Sequence, residues 1–109
     1  MNREFKDAIE NSPIIAAIKN DAELHQCLTC DSQVIFILYG DICNIADIVE
    51  TVKSAGKIAL VHLDLIGGLN AKEIAVDFIK KYTRADGIIS TRPQLIRHAK
   101  ELSLYTVMR

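Results

Sequence analysis

Short apolar runs alternate with segments of helical period five times along this chain, and that alternation leaves few folds open. The runs are Ile14–Ile18, Val34–Tyr39, Ile58–Leu63, Gly87–Ile89 and Leu104–Met108. All are short and rich in Ile, Val and Leu, as strands buried on both faces tend to be. The segments between them carry helix signals. Asn20-Asp-Ala-Glu23 and Asn70-Ala-Lys-Glu73 each set a side-chain acceptor three residues before a Glu, the form of a capping box. Ile45, Ile48, Val49 and Val52 mark one helical face, closed at Gly56 by a left-handed cap. Ile74, Phe78 and Ile79 mark the next face. Leu95, Ala99 and Leu102 mark another, entered through Thr91-Arg-Pro93, where proline suits a first turn. A short leading helix is expected around Phe5–Glu10, stopping near Ser12-Pro13. There is no hairpin dipeptide, so strand–helix–strand repetition implies a parallel sheet with right-handed crossovers.

The chain's 109 residues suffice for a modest core but are short for a complete (β/α)8 barrel. No apolar run approaches the roughly 18–20 residues of a membrane span, and Met1–Phe5 does not begin a secretory signal. Three cysteines (Cys27, Cys30, Cys43) are an odd count, unhelpful for a disulfide framework and ordinary in a reducing cytoplasm, where the protein is expected. Charge is unevenly spread. Residues 1–55 carry four basic against nine acidic groups, and residues 56–109 carry nine basic against five acidic. A basic second half permits a surface for an anionic partner, although several solvated helix faces are the plainer explanation.

In a parallel sheet the residues after each strand converge at one edge. Here they are Lys19 and Asn20; Gly40, Asp41 and Asn44; His62, Asp64 and Gly67-Gly68; Ser90, Thr91 and Arg92; and Arg109. That collection suits a small polar or phosphorylated ligand. Strand alternation is expected to put Ile58, Leu60, His62 and Asp64 on one face. Lys19, directly after an apolar strand, must meet an anion or reach solvent. For Asp41, Asn44, Ser90 and Thr91 the competing reading is capping and turn formation, and for His62 a satisfied core histidine. A metal site would have only Asp41 as a third ligand beside His62 and Asp64, so no metal is assigned. Cys27-Leu-Thr-Cys30, with His25 nearby, lies late in a helix, not at the strand-to-helix entry a redox motif requires. Gly67-Gly68 lacks the Lys-Ser/Thr of a phosphate loop, and no triad or carboxylate pair is evident. No cofactor is implied.

Four motifs stand in order: Ser12-Pro-Ile-Ile-Ala-Ala-Ile-Lys19, Tyr39-Gly-Asp-Ile-Cys-Asn44, Val61-His-Leu-Asp-Leu-Ile-Gly-Gly-Leu69 and Asp86-Gly-Ile-Ile-Ser-Thr91. Together they resemble the bacterial glycerol-3-phosphate-responsive antiterminators, over nearly the whole chain. The resemblance implies a TIM-barrel-like regulator, not an enzyme, that senses glycerol 3-phosphate and acts on the leader mRNA of glycerol uptake operons. Family members continue well beyond the equivalent of Leu104-Tyr-Thr-Val-Met-Arg109. Residues 1–109 then form a single α/β domain, truncated relative to the family: a partial barrel of about five strands. A flavodoxin-like open sheet is the alternative.

On this resemblance Lys19, Asp41, His62, Asp64, Ser90 and Thr91 become residues of the ligand mouth. Lys80, Lys81, Arg84, Arg97 and Lys100 of the basic half become contacts to RNA phosphates. No aromatic stacking motif accompanies them. An open half-barrel exposes the inner faces of its strands, so homo-oligomerisation through the open side is expected. Two other readings are an enzyme of small phosphorylated metabolites, which needs His62 or Asp64 as an acid–base group, and an inactive remnant.

Overall fold

The structure, a computed structural model, describes residues 15–109. Five strands form one sheet: β1 (Ala16–Ile18), β2 (Val34–Ile37), β3 (Ile58–His62), β4 (Gly87–Ser90) and β5 (Tyr105–Met108). They are ordered β1-β2-β3-β4-β5, and every neighbouring pair is parallel. The helices between them are α1 (Asp21–Cys27), α2 (Ile45–Ser54), α3 (Glu73–Tyr82) and α4 (Pro93–Glu101), and a 3-10 turn at Leu63–Leu65 follows β3. The α/β sheet of five parallel strands expected from the sequence is therefore present, and it is open. Its sequential order differs from the flavodoxin-like order, in which the chain reverses direction after the second strand.

With no reversal, each right-handed crossover returns over the same face of the sheet. One core accordingly joins Ile18, Ile35, Ile37, Val61 and Ile88 of the strands to Val49, Val52, Val76, Ile79, Leu95 and Ala99 of the helices. The opposite face holds only a small buried cluster, Val34, Leu60 and Ile89, flanked by half-buried Phe36, Ile58, Tyr105 and Val107. Strand register pairs these same residues across the sheet: Phe36 with Leu60, Leu60 with Gly87, and Ile89 with Val107. A Cβ at Gly87 would run into the carbonyl oxygen of Tyr105 and stand 2.7 Å from Leu60 Cδ2. Glycine there is what lets the strands and their side chains close up.

Local signals decide most helix ends. Asn20 Oδ1 accepts from Glu23 N–H at 2.8 Å, and the Glu23 carboxylate accepts from Lys19 N–H at 2.8 Å, one residue ahead of the cap. Gly56 follows α2 at φ +78° and donates its N–H to Lys53 O at 2.9 Å. Pro93 opens α4. The Asn70 box does not form. Helix α3 begins only at Glu73, after Lys72, which makes no side-chain capping bond. Ile74 thus falls in a first turn and is 67% exposed, while Ala75, Val76 and Ile79 make the buried stripe. The leading helix expected at Phe5–Glu10, and Ile14 of the first strand, lie outside the described residues.

At the amino end of the sheet, Asp86 ties three elements together. Its Oδ2 accepts from Ala59 N–H at 2.9 Å and from Lys53 Nζ at 2.8 Å, linking β3, α2 and the approach to β4. The buried Lys57 donates its ammonium to the carbonyls of Cys30 (2.9 Å) and Ser32 (2.7 Å), which offsets its desolvation. Cys27 is buried and Cys30 donates its thiol to Cys27 O at 3.1 Å; both are free thiols in structural positions.

Helices α3 and α4 meet at His98. Its Nε2 lies 2.9 Å from Asp77 Oδ1, and its Nδ1 lies 3.6 Å from Glu73 Oε1 and 3.5 Å from Glu101 Oε2. The Asp77 hydrogen bond, opposed by partial desolvation and reinforced by the neighbouring acids, raises the imidazole above its ordinary 6.5. A raised folded-state value contributes stability that is fully present below the unfolded value and fades as pH rises through the folded one. We therefore expect urea denaturation of the wild type to show a loss of stability as pH rises past the ordinary imidazole value of 6.5 that His98→Gln lacks.

Candidate functional site

The carboxyl ends of the strands carry two kinds of polar residue: those spent on holding loops, and those turned into a cavity. Asp41 belongs to the first kind. Its Oδ1 accepts from Cys43 N–H (2.8 Å) and Asn44 N–H (3.1 Å), while Asn44 Oδ1 accepts from Asp41 N–H (2.8 Å). A bridge between Asp41 and Gly67, with Gly67 N–H to Gly40 O at 2.9 Å, locks the loops after β2 and β3 together. Gly40, at φ +112°, has a left-handed backbone that disfavours a side chain.

Asp64 is also spent locally, and here the expected strand alternation fails. Strand β3 ends at His62 and the chain turns into the 3-10 segment, so Asp64 does not continue the strand face of His62. Its Oδ1 accepts from Ser90 Oγ at 3.3 Å, and its Oδ2 accepts from Thr91 N–H (3.1 Å) and Thr91 Oγ1 (3.0 Å). Ser90 Oγ in turn accepts from Arg92 N–H at 3.1 Å. Partial burial works to raise the Asp64 carboxyl, but the Thr91 and Ser90 bonds outweigh it and hold the group below its ordinary value. Asp64, Ser90 and Thr91 thus form a clamp from the end of β3 to the start of α4.

His62 differs. It is 3% exposed, and its Nδ1 has no hydrogen-bond partner among the described residues. Burial lowers its pKa; the Asp64 charge opposes that shift and the Arg109 charge adds to it. His62 lines a cavity of about 260 Å³ on the helix-free face, together with Ala17, Phe36, Leu38, Ile89, Val107 and Arg109. Of the six residues expected at the ligand mouth, only His62 lines this cavity. Lys19 is exposed and lines a separate groove along β1, with Glu23, Gln26 and Cys27. Arg109 was named among the strand ends but not grouped with the ligand residues. Its N–H donates to Ser90 O at 3.0 Å, extending the β5 ladder so that Tyr105, Val107 and Arg109 fall on alternate positions. That period of two was the signal that could have found it.

Among the described residues no group of three or more His, Cys, Asp and Glu is arranged to hold a metal ion, and no helix is long and apolar enough to cross a membrane. The basic residues lie on the helix layer. Lys80 and Lys81 are exposed in the last turn of α3, and Arg97 and Lys100 are exposed on α4. Arg84 is exposed too, but its Nη1 is engaged by Glu50 at 2.8 and 2.9 Å. Beside Lys81 stands an aromatic that the sequence pattern did not single out. Tyr82 is 61% exposed, its ring 5.5 Å from Lys81 Nζ and 5.5 Å from the Phe78 ring.

A sequentially ordered parallel sheet, helices on one face and a cavity at the carboxyl end of the other, defines a protein built of consecutive β/α units whose described helices all cover one side. The family is narrower. This chain belongs to the glycerol-3-phosphate responsive antiterminators, whose family model matches residues 14–109. It is 40% identical over 101 residues to the uncharacterized protein YgcP of Escherichia coli strain K12, covering 93% of this chain and 53% of that protein. Among solved structures it resembles the glycerol uptake operon antiterminator regulatory protein of Listeria monocytogenes, with TM-score 0.83 and 30% identity over 87% of this chain and 51% of that one. It also resembles a glycerol uptake operon antiterminator-related protein of Thermotoga maritima, with TM-score 0.78 and 33% identity over 87% of this chain and 53% of that one. The chain spans about half the length of each of these relatives.

The clamp makes a checkable structural claim. Asp64→Ala should lower stability by about 1–2 kcal/mol, read by urea denaturation, since it removes charged hydrogen bonds that solvent partly screens. Because the folded carboxyl titrates below its ordinary 3.8, this contribution is present above that value and is lost as pH falls through the lower one.

Proposed function

We propose that this protein is a cytoplasmic antitermination regulator of glycerol metabolism that binds glycerol 3-phosphate at the carboxyl ends of its strands and leader mRNA on its helix layer. Family membership across residues 14–109 carries the reading. Regulation without catalysis fits the site: Asp64, the acid nearest His62, has both oxygens held by Ser90 and Thr91 and is poorly placed to move a proton for a substrate. For RNA, Lys80, Lys81, Arg97 and Lys100 offer phosphate contacts, and Tyr82 offers a stacking face beside them. Arg84 contributes less, since Glu50 already neutralises it.

Titration calorimetry with glycerol 3-phosphate, followed by filter binding to a glycerol-operon leader RNA with and without that ligand, measures both halves of the reading. Ligand-dependent RNA binding is expected, weakened about tenfold or more and with a shallower salt dependence when Lys80, Lys81, Arg97 and Lys100 are replaced by Ala together. Turnover of a phosphorylated substrate would establish an enzyme instead, and silence in both assays would mark a remnant.

The uncovered face bears on assembly. Phe36, Ile58 and Val107 stand half-buried on it, and none of the described helices lies above them. We propose that a second copy of the chain covers this side, since open apolar sheet faces seek a partner. Size-exclusion chromatography with light scattering should give a dimer or larger species; a stable monomer that binds no hydrophobic dye would rule this out.

A further inference from the structure

The cavity on the helix-free face contains a buried imidazole whose Nδ1 makes no hydrogen bond among the described residues. His62 is 3% exposed and its Nδ1 is unpartnered, a rare condition for a buried polar atom. Burial favours the neutral imidazole, which carries one proton on one of two nitrogens. A buried N–H without an acceptor is worse tolerated than a buried lone pair without a donor. An oxyanion in the cavity selects the tautomer that carries the proton on Nε2 and leaves the bare lone pair on the enclosed Nδ1. Since His62 lines the cavity, Nε2–H is the atom it can offer there.

Arg109 lines the same cavity, and no hydrogen bond or ion pair engages its guanidinium among the described residues. Every other lining residue, Ala17, Phe36, Leu38, Ile89 and Val107, is apolar. With that tautomer the polar end of the cavity consists of donors alone: one imidazole N–H and one guanidinium fork. Asp64, the nearest acid, has both oxygens turned onto Ser90 and Thr91. Donors without acceptors select an oxyanion, and an arginine fork suits phosphoryl or carboxylate oxygens.

We propose that His62 Nε2–H and Arg109 form an oxyanion subsite that takes the phosphoryl group of a small organic phosphate, whose carbon chain lies on Phe36, Leu38 and Val107. Coupled to the proposed function, which it rests on for the identity of the ligand, this assigns the phosphate end of glycerol 3-phosphate to the strands β3 and β5. The hydroxyl end then points outward from the sheet.

Ring-nitrogen NMR of the 15N-histidine-labelled chain tests the subsite, with inorganic phosphate and glycerol 3-phosphate as separate probes. With either probe bound His62 should be the Nε2–H tautomer, and both probes should move its Nε2 resonance. Replacements sharpen the assignment. His62→Gln places an amide N–H near the Nε2 position and should keep binding within about threefold of the wild type. His62→Asn, which reaches only to the Nδ1 position, and Arg109→Gln should each weaken it about tenfold or more. Circular dichroism and the denaturation midpoint establish that each variant folds. Binding of glycerol 3-phosphate with an unmoved His62 resonance, or equal affinity in His62→Gln and His62→Asn, overturns the subsite while leaving the regulator reading intact. A His62 response to inorganic phosphate but not to glycerol 3-phosphate upholds the subsite and overturns that reading. No response to either probe overturns the subsite.

Discussion

Burial of one sheet face beneath all four helices is the constraint on which the rest of this structure depends. Consecutive parallel strands joined by right-handed crossovers have no choice of side unless the strand order reverses, and here it does not. Ile35, Ile37, Ala59, Val61 and Ile88 are therefore fully covered, and the alternate residues of the same strands face away from every helix. The sheet spends its hydrophobic driving force on one side. What remains on the other is a half-buried apolar surface with a polar rim, and that is where a ligand or a partner has room.

The polar residues at the strand ends divide by what the backbone asks of them. Loops that leave a parallel strand carry exposed N–H groups and need acceptors nearby. Asp41 and Asn44 meet that need after β2, and Asp64 with Ser90 meets it between β3 and α4. Such residues are chemically suited to phosphate or metal yet are already occupied. His62 ends β3 and Arg109 follows β5 in ladder register, so neither side chain is spent on holding a loop. This contrast explains why a single edge of the sheet can look densely functional in sequence while offering only two polar groups to its cavity.

Family membership fits this arrangement, and the length relation gives it meaning. The chain matches about half of each solved relative with high structural similarity, so the described sheet corresponds to a contiguous run of β/α units in those longer chains. The uncovered face and the basic helix layer are then two separate surfaces of one sheet, one suited to a small anion and the other to a polyanion. On the proposed reading, a metabolite on one side and RNA on the other need not compete for the same residues.

Much of this was legible in the residues themselves. The alternation of apolar runs with helical faces determined an α/β sheet of five parallel strands, because periods of 2 and 3.6 bury surface in only one way each. Caps at Asn20, Gly56 and Pro93 were equally plain, since they rest on contacts within one turn. The Asn70 box and the exposure of Ile74 were not, because the start of α3 is set by how its stripe of Ala75, Val76 and Ile79 meets the sheet. Nor could a period of two tell that β3 stops at His62. The 3-10 turn that removes Asp64 from that face is held by Ser90 and Thr91, 26 and 27 residues further on. The sequence by itself determined the elements and their parallel direction; only the tertiary structure decided the strand order and which polar side chains were left over. Pairing between distant residues consumes hydrogen-bonding capacity, and no local pattern records how much of it remains.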